Sequence, residues 1–215
     1  MSDPVSVPFR AIGPSALLSP VPAVLLSCRG SEADSPANLI TIAWAGTVCS
    51  DPPMVSVSIR PQRYSYSLIR QSNCFCLNLV SRKLCRAADF CGVRSGRDVD
   101  KFKALSLHTF QPEDFEAPAL AEAPAFLTCR VRQVLPLGSH DLFLASVENV
   151  YVQPGLLDEK GALHLERADL VSYAHGRYYG LTKEALGFFG YSVARPQVLS
   201  RRLPGRKPRK KEPRK

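Results

Sequence analysis

The stretch "PMVSVSIRPQRYSYSLI", residues 53–69, begins with a pattern that is typical of a β-strand. Val55, Val57 and Ile59 alternate with serines and with Arg60, so one face of the segment is apolar and the other is polar. Alternation of this kind indicates a strand that is buried on one side. We predict that the three apolar side chains face the interior of a β-structure and that the serines and Arg60 face outward.

The turn after this strand carries four polar residues, Arg60, Arg63, Tyr64 and Ser65. A short helix is predicted at residues 65–72, and Ser65 can cap its first turn. A helix N-terminus offers unpaired backbone N–H groups and a partial positive charge, and an arginine can hold two phosphate oxygens. The turn therefore fits a phosphate site, and it fits equally well an exposed strand end with solvated arginines.

Short strand-like runs recur along the rest of the chain, at residues 23–28, 38–48, 74–80, 105–110, 125–137 and 140–152. The run 74–80 is apolar on both faces, which predicts a central strand. The link "PLGSHD" has the glycine and the short length of a hairpin. Helical patterns are short, at residues 81–92 and 97–105, and they do not alternate with strands as a doubly wound sheet requires. We predict a mainly β fold with short helices, in the form of an antiparallel barrel.

The charge of the chain is unevenly distributed. The 215 residues have a formal net charge of +9, yet residues 195–215 hold ten Lys or Arg residues and one acid, and the remainder holds 18 of each sign. We predict an N-terminal extension at residues 1–20, one domain at residues 21–194 and a disordered basic tail at residues 195–215. The tail either binds anionic surfaces non-specifically or only solubilises the chain.

The composition also limits the classes of protein that the chain can represent. No apolar run approaches the roughly 18 to 20 residues of a membrane span, and the start "MSDPVSVPFR" does not have the pattern of a signal peptide. We expect a soluble cytoplasmic protein. The seven cysteines form no C-x-x-C pair and no histidines stand at ligand spacing, so we predict structural free cysteines and no metal site.

Two further stretches have residues that suit a ligand. In "CGVRSGRDVDKF", residues 91–102, Ser95 and the backbone around Gly96 can donate hydrogen bonds, and Lys101 adds a cation. The same residues also fit a helix end followed by a loop and a capped helix. In residues 38–48, Thr41 and Ala43 are small enough to leave room for a flat ligand, although a tightly packed sheet face would use them as well.

Together, the ordered segments "NLITIAWAG", "SDPPMVSVSIRPQRYSYSLI", "FCLNLV", "DFCGVRSGRDVDKF" and "HDLFLASVENVYV" resemble the flavin reductase-like, FMN-binding split-barrel proteins, of the flavoredoxin or NAD(P)H:flavin oxidoreductase type. The resemblance covers about residues 23–181. It implies a six-stranded antiparallel split barrel of Greek-key type that forms a homodimer, with FMN bound near the subunit interface. It also implies oxidoreductase activity, with NAD(P)H as the electron donor to the flavin.

Carried over by motif, the resemblance implies roles for individual residues. The residues implied beside the flavin ring are Thr41, Ala43, Trp44 and Asn78. Those implied at the phosphate and ribityl chain are Arg60, Arg63, Tyr64 and Ser65. Those implied to close over the flavin or its phosphate are Ser95, Gly96, Asp98 and Lys101. His140 is implied on the nicotinamide side and is the catalytic candidate, although it can equally be a hairpin-end histidine bonded to backbone, and His175 leaves the same choice open.

The residues leave several functions open. A flavin reductase would pass electrons from NAD(P)H through FMN to free flavin, a ferric complex or a partner protein. A flavoredoxin-type carrier would hold FMN that another protein reduces. The remaining alternatives are a binding protein that acts through its basic tail and a barrel scaffold with a degenerate flavin site.

Overall fold

The computed structural model describes residues 9–32, 34–182 and 184–203. These residues divide into two compact units on either side of the Gly180–Leu181 bond. The first unit holds every strand: β1 Val21–Pro22, β2 Val24–Cys28, β3 Asn38–Ile42, β4 Ala45–Ser50, β5 Pro53–Ile59, β6 Cys74–Leu79, β7 Thr109–Phe110, β8 Ala119–Leu120, β9 Ala125–Pro136, β10 Asp141–Val152, β11 Val171–Ala174 and β12 Arg177–Gly180. Within the described residues, its α-helices are α1 Tyr64–Ser72, α2 Cys85–Val93 and α3 Lys101–Ala104.

Seven strands form one antiparallel sheet in the order β3-β2-β6-β9-β10-β5-β4. The two edge strands, β3 and β4, are consecutive in the chain and are separated only by Ala43 and Trp44. The sheet must therefore curl until its two edges meet at this junction, where the backbone N–H of Ser58 on β5 donates to the carbonyl of Trp44 at 3.0 Å. The predicted antiparallel split barrel is confirmed.

The predicted strand at residues 38–48 is two strands in the structure. This segment pairs with β2 as far as Ile42 and pairs with β5 from Ala45 onward. Six strand-forming segments therefore give seven strands, because one segment contributes to both edges of the sheet. An alternation pattern cannot reveal such a switch, since the residues of both halves have strand propensity.

Burial along β5 confirms the predicted orientation of its side chains. Val55, Val57 and Ile59 are buried in the barrel core, while the residues between them are partly exposed. The other members of this core come from β2, β3, β6, β9, β10 and α1, and they include Phe75 and Phe143, both fully buried. β6 pairs with β2 and β9, as expected of a central strand.

Strands β2 and β3 are buried on both faces because α2 covers the outside of the barrel beside them. Leu26 and Ile40 point into the barrel core, whereas Leu25 and Leu39 belong to a second core together with residues of α2 such as Ala88. This double burial fixes β3 between the interior of the barrel and α2. The position of β3 in turn determines where the polar residues at its start, and those of the loop after α2, meet.

Three local predictions from the sequence are wrong. Residues 105–110 form a strand only at Thr109–Phe110, because the N–H of Leu107 bonds back to Phe102 and turns the chain after α3. The predicted helix at 97–105 begins only at Lys101, where the Asp100 side chain accepts a hydrogen bond from the N–H of Lys103. Ser65 does not cap α1, since the N-cap position is Arg63 and the Ser65 side chain is buried.

The second unit contains α4, Pro196–Arg202, which lies inside the segment where the sequence predicts a disordered tail. Residues 204–215 and the first eight residues of the predicted N-terminal extension lie outside the described residues. All seven cysteines are free, and five of them are buried. In the described parts of the chain, no group of three or more potential ligands could hold a metal ion, and no helix is long and apolar enough to cross a membrane.

Candidate functional site

A cavity of about 350 Å³, which we call the cationic cavity, lies where three parts of the fold meet. Its walls come from β3, from the turn between β5 and α1, and from the end of α2 with the loop that follows. The lining residues are Asn38, Ile40, Arg60, Gln62, Arg63, Tyr64, Ser65, Cys91, Arg94, Ser95, Gly96, Arg97 and Lys101. Five of these described residues are cationic and none is acidic, so the cavity attracts anions.

A second cavity of about 180 Å³, which we call the Trp44 pocket, shares Ile40, Arg60 and Arg63 with the first. Its other lining residues are Thr41, Ile42, Ala43, Trp44, Ser58, Ile59 and His140. The indole of Trp44 is available to a ligand, because this residue is 46% exposed although it lies at the junction of two strands. The two cavities form one groove that is cationic at one end and lined by aromatic and small side chains at the other.

The register of the sheet places His140 beside Arg60. Asp141 at the start of β10 is paired with Ile59 at the end of β5, so the residues that flank this pair are also neighbours. The hydroxyl of Tyr66 donates to the carboxylate of Asp141 at 2.6 Å, which ties α1 to the start of β10. The hairpin end and the arginine turn are therefore held together by a backbone ladder and by a side-chain bond.

Lys101 is buried in the wall of the cationic cavity, with only 3% of its surface exposed. Its ammonium donates to the carbonyl oxygens of Leu39 at 2.6 Å and Cys91 at 3.0 Å. Burial lowers the pKa of Lys101, and the nearby Arg63 adds to this effect. Because an ammonium has three donors and two are used, one remains for an anion in the cavity.

The three walls of the cationic cavity are joined by a small polar network. The side-chain amide of Asn38 on β3 donates to the hydroxyl of Ser65 on α1 at 2.7 Å, and both residues are buried. Gly96 packs against the same group. A Cβ at that position would overlap Oδ1 of Asn38 and would lie 2.7 Å from Cδ1 of Tyr64. The loop after α2 can approach this closely only because residue 96 has no side chain.

Arg97 joins the loop to the arginine turn. Its Nη1 donates to the carbonyl of Gln62 at 3.0 Å, and its guanidinium lies 5.5 Å from the centroid of the Tyr64 ring. Both contacts hold the guanidinium at the cavity wall, and they leave its other N–H groups without a protein acceptor among the described residues.

The remaining three arginines of the cationic cavity, Arg60, Arg63 and Arg94, are not held in this way. Their side chains have no hydrogen-bond or ion-pair partner within the part of the chain that the structure describes. Elsewhere, Arg82 and Arg130 are paired with carboxylates. Unpaired guanidinium groups that converge on one cavity are arranged to meet an anion that enters from solution.

His140 lies at the other end of the groove. Its ring packs against the Trp44 ring, and its Nδ1 is hydrogen bonded to the Ser139 hydroxyl at 2.9 Å. Burial lowers the pKa of His140, and the positive charges of Arg60 and Arg63 lower it further. The imidazole is therefore neutral near pH 7 in the structure described.

Eleven of the thirteen site residues that the sequence singles out line this groove, and two do not. Asn78 is buried in the sheet, where its amide donates to the Leu25 carbonyl and the Ser27 hydroxyl, and its Oδ1 accepts from the N–H of Leu120. Asp98 is exposed and lines neither cavity. Asn78 lines neither cavity and its amide is bonded within the fold, so its place beside a ligand stays a prediction.

His175 also lies away from the groove. It occupies the turn of the β11–β12 hairpin, with φ +45°, and the next residue, Gly176, has φ +82°. Tyr173, Tyr178 and Gly176 of this hairpin line a further cavity of about 270 Å³ that adjoins Thr41 from the side of α2. His175 itself does not line that cavity.

The structure adds lining residues that the sequence does not single out, chiefly Arg94, Gln62 and Asn38. In the sequence, the only feature that points to a role for Arg94 is that it is a basic residue of the loop "VRSGRD". Asn38 begins a strand and has no pattern that distinguishes it from an ordinary strand-end residue.

The donor set fits the phosphate and the ring of a flavin mononucleotide. Arginine forks and an ammonium are the usual protein ligands of a phosphate, and no carboxylate opposes them among the described lining residues. Next to them, the small Thr41 and Ala43 and the exposed indole of Trp44 suit a flat aromatic group. The fold and the groove together define an antiparallel split-barrel protein with a cavity suited to a phosphorylated aromatic ligand.

Comparison with known proteins gives the family. The family profile described as "Flavin reductase like domain" matches residues 18–182, and the chain therefore belongs to this family. The solved structure of flavoredoxin from Desulfovibrio vulgaris (Miyazaki F) is similar, with a TM-score of 0.78 and 28% identity over 86% of this chain and 99% of the other. The FMN-binding protein from Thermus thermophilus, solved with 1-cyclohex-2-enone, has a TM-score of 0.69 and 27% identity over 85% of this chain and 99% of the other.

Sequence comparison finds both uncharacterised relatives and relatives with a named activity. An uncharacterised protein of Aeropyrum pernix is 34% identical over 147 residues, which are 66% of this chain and 55% of that protein. The NADPH-flavin oxidoreductase of Streptomyces viridifaciens is 32% identical over 128 residues, which are 58% of this chain and 65% of that protein. This chain thus spans between about half and two thirds of the length of these curated relatives. The predicted family and fold are confirmed.

Proposed function

We propose that this protein is an FMN-binding oxidoreductase that takes reducing equivalents from NAD(P)H and passes them, through bound FMN, to an acceptor. The acceptor is free flavin, a ferric complex or a partner protein. The observation that carries the proposal is the groove, in which a cavity lined by five cations, and by no carboxylate from the residues that the structure describes, continues into a pocket with an exposed indole and an imidazole. Membership of the flavin reductase family supports it.

In this proposal, the cationic end of the groove holds the flavin phosphate. Arg60 and Arg63 lie in both cavities, so they can bind a phosphate whose ring lies in the Trp44 pocket. The buried Lys101 lines the same cavity and has one donor left for the phosphate. Because Lys101 is fixed by two backbone carbonyl groups, it binds without losing side-chain freedom at that moment.

The aromatic end of the groove orients the ring and excludes water from one of its sides. Thr41 and Ala43 allow close approach to the backbone of β3, and Trp44 covers the side of the pocket next to His140. When bound, FMN supplies the hydride and electron chemistry, and the protein supplies position and electrostatic environment. His140 can donate or accept a hydrogen bond at its free Nε2, and its neutral form adds no positive charge near the ring.

An anaerobic titration tests this function. Protein loaded with FMN is titrated with NADPH and, separately, with NADH while the visible absorption of the flavin is followed. Bleaching at a catalytic rate with either nucleotide is the expected result. Loss of the flavin on gel filtration before the titration would contradict the proposal that FMN is bound. A flavin that stays oxidised with both nucleotides would contradict the proposal that NAD(P)H reduces it.

A second candidate is an electron carrier of the flavoredoxin type, in which another protein reduces the FMN. The similarity to the Desulfovibrio vulgaris flavoredoxin over almost all of that chain supports it. The same titration separates the two candidates, since a carrier keeps its flavin bound and oxidised in the presence of NAD(P)H. It is then reduced by a strong chemical reductant such as dithionite.

The homodimer, the cytoplasmic location, the domain limits 21–194 and non-specific binding of anionic surfaces by the basic tail remain predictions from the sequence. Analytical ultracentrifugation tests the first. For the last, removal of residues 204–215 is expected to weaken salt-dependent binding to anionic vesicles, and we expect it to leave FMN binding unchanged because the lining residues all lie before residue 141.

A further inference from the structure

The cavity of about 270 Å³ beside the β11–β12 hairpin has no part in the function proposed above. We call it the tyrosine pocket, because Tyr173 and Tyr178 of the hairpin line it. Asp89 and Val93 of α2 form a second wall. The rest of its lining consists of small residues, namely Ala23, Thr41, Ala43, Gly92 and Gly176. Because ligand sites usually measure about 300–1,000 Å³, a cavity of this size suits a molecule of one or two rings better than a nucleotide.

The tyrosine pocket is next to the Trp44 pocket. Thr41 and Ala43 line both. Thr41 faces α2, since its hydroxyl donates to the carbonyl of Ala88. Gly92 lies close to the same threonine, and a Cβ at residue 92 would be 3.5 Å from the Cβ of Thr41. A ligand in the tyrosine pocket would therefore contact the two side chains that also line the proposed place of the flavin ring.

The hairpin that carries the two tyrosines is fixed to the rest of the first unit. Tyr173 on β11 is paired with Val21 on β1, and the N–H of Val171 donates to the carbonyl of Val80 at 3.1 Å. The rings of Tyr173 and Tyr178 meet edge to face, with centroids 5.2 Å apart, and both pack against the second core. The pocket is therefore formed before a ligand arrives.

Three polar groups of the tyrosine pocket are left free by the fold. The hydroxyls of Tyr173 and Tyr178 and the carboxylate of Asp89 have no hydrogen-bond or ion-pair partner among the described residues. Burial, together with the negative charge of Asp89, raises the pKa of Tyr178 to about 12. The Tyr178 hydroxyl therefore stays protonated, and it can donate a hydrogen bond to a carbonyl oxygen of a ligand.

The charge of the tyrosine pocket is opposite to that of the groove. Asp89 is its only ionic lining residue within the described part of the chain, whereas four arginines and a lysine line the cationic cavity. An anionic ligand would meet a carboxylate here instead of a counter-charge. The lining therefore suits an uncharged, flat molecule that has a carbonyl group.

We propose that the tyrosine pocket binds an uncharged quinone, which is an electron acceptor of this enzyme, and that Tyr178 donates a hydrogen bond to a quinone carbonyl oxygen. The proposal rests on the proposed function, which supplies the reduced flavin, and it adds a class of acceptor. The quinone takes up a hydride from the reduced flavin and a proton from solvent and becomes the hydroquinone. The flavin returns to its oxidised form, and NAD(P)H is the source of the two electrons.

Equilibrium binding to five proteins tests the proposal: wild type, Tyr178→Phe, Asp89→Asn, Tyr179→Phe and Asp114→Asn. Tyr179 and Asp114 are matched controls, because both are exposed and neither lines the pocket. The probes are tetramethylbenzoquinone analogues in which a propionamide or a propionate arm replaces one methyl group, so they differ in charge and hardly in size. Calorimetry measures their binding to the oxidised, FMN-loaded protein, in which no electron transfer takes place.

We expect Tyr178→Phe to bind the amide quinone about three- to tenfold more weakly than wild type, as the loss of one hydrogen bond predicts. Its fold should be unaffected, since the hydroxyl has no partner in the protein. Wild type should bind the propionate about threefold or more weakly than the amide, and Asp89→Asn should bring the two affinities together. Both control variants should behave as wild type.

Three results would overturn the proposal. The first is equal affinity of wild type and Tyr178→Phe for the amide quinone. The second is a propionate that binds wild type as tightly as the amide does. The third is the absence of binding with a dissociation constant below about 1 mM.

A second measurement tests the electron transfer. Protein reduced by NAD(P)H, or by dithionite if neither nucleotide reduces it, is mixed anaerobically with the amide quinone while flavin absorption is followed. We expect the flavin to be reoxidised, more slowly in Tyr178→Phe than in wild type when the quinone is subsaturating. A wild-type flavin that the quinone does not reoxidise would also overturn the proposal.

These experiments can fail independently of the proposed function. A protein that is bleached by NAD(P)H and binds no quinone keeps its function and loses the tyrosine pocket as an acceptor site. A protein that binds the quinone and is reoxidised by it, but is reduced only by dithionite, loses the reductase function and keeps the acceptor site. If the protein retains no FMN, the function fails, and titration of the flavin-free protein still tests the pocket.

Discussion

The imidazole of His140 and the indole of Trp44 lie against each other, with ring centroids 4.6 Å apart and planes tilted by 45°. The two residues are nearly a hundred positions apart in the chain. The contact arises because Trp44 lies at the junction of the two sheet edges and His140 immediately precedes the strand that pairs with β5. It closes one side of the pocket in which we propose that the flavin ring binds.

Because of its position, His140 should titrate below the ordinary pKa of 6.5. Burial and the charges of Arg60 and Arg63 oppose its protonation. The Arg60→Gln variant should therefore raise the pKa of His140 towards the ordinary value, while Arg70→Gln, on the exposed far end of α1, should not. The measurement is a pH titration of the imidazole signals by NMR, and an identical pKa in wild type and Arg60→Gln would refute this electrostatic account.

The same shift affects stability with a definite sign. The folded protein has the lower His140 pKa, so it binds fewer protons than the unfolded chain between that pKa and 6.5. The contribution of His140 to stability is therefore lost as the pH falls below 6.5 and is fully retained above it. The free energy of unfolding, measured with denaturant at several pH values, should fall less steeply over this pH range in Arg60→Gln than in wild type.

Arg63 should contribute directly to flavin affinity. The Arg63→Ala variant is expected to weaken FMN binding by about 1.5 to 3 kcal/mol, the range for a hydrogen bond to a charged group. Arg70→Ala removes the same charge from the other end of α1 and should leave the affinity unchanged. Quenching of FMN fluorescence measures both. If Arg63→Ala and wild type bind FMN with equal affinity, the proposal that the phosphate binds at the arginine turn is wrong.

Gly96→Ala should disturb the wall of the cationic cavity. The new Cβ would overlap Asn38 and Tyr64, neither of which can move without breaking the polar network or the contact with Arg97. We expect a loss of about 1 to 3 kcal/mol in the free energy of unfolding, together with weaker FMN binding. Gly46→Ala is the control, since a Cβ there meets nothing within 4 Å. Wild-type stability in Gly96→Ala would show that the loop is not packed as described.

Asn78 should be essential to the sheet and irrelevant to the ligand. Asn78→Ala leaves the N–H of Leu120 without its buried acceptor, so we expect the free energy of unfolding to fall by about 1 to 3 kcal/mol. Asn149→Ala, at an exposed position of β10, should change stability far less. FMN affinity, measured under conditions in which both variants are fully folded, should match wild type. A selective loss of affinity in Asn78→Ala would restore the role that the sequence motif implies.

Where local pattern and tertiary environment agree, the sequence predicts the structure well. The alternation of Val55, Val57 and Ile59 predicts the inward face of β5, and the unbroken apolar run at 74–80 predicts a central strand. The arginine turn also follows its pattern, since a strand end is followed at once by α1. These features depend on neighbours in the chain, which is why periodicity and turn chemistry reveal them.

Where a residue acts through partners that are distant in the chain, the sequence does not predict its role. Asn78 has the same sequence neighbours in a flavin-binding motif as in an ordinary strand. Only the pairing of β6 with β2 shows that its amide donates to the Leu25 carbonyl and the Ser27 hydroxyl. Arg94 looks like any basic loop residue until α2 packs on β3 and brings the loop to the arginine turn.

The sequence by itself determined the strand-rich architecture, the inward and outward faces of its strands, the concentration of net charge in the last 21 residues and, through ordered motifs, the family. Only the tertiary structure decided that residues 38–48 supply both edges of the sheet, that Trp44 meets His140, and that five cations surround one cavity. The physical reason is that backbone propensity and burial pattern are encoded locally, whereas a binding cavity is the space left between segments that meet only when the sheet curls.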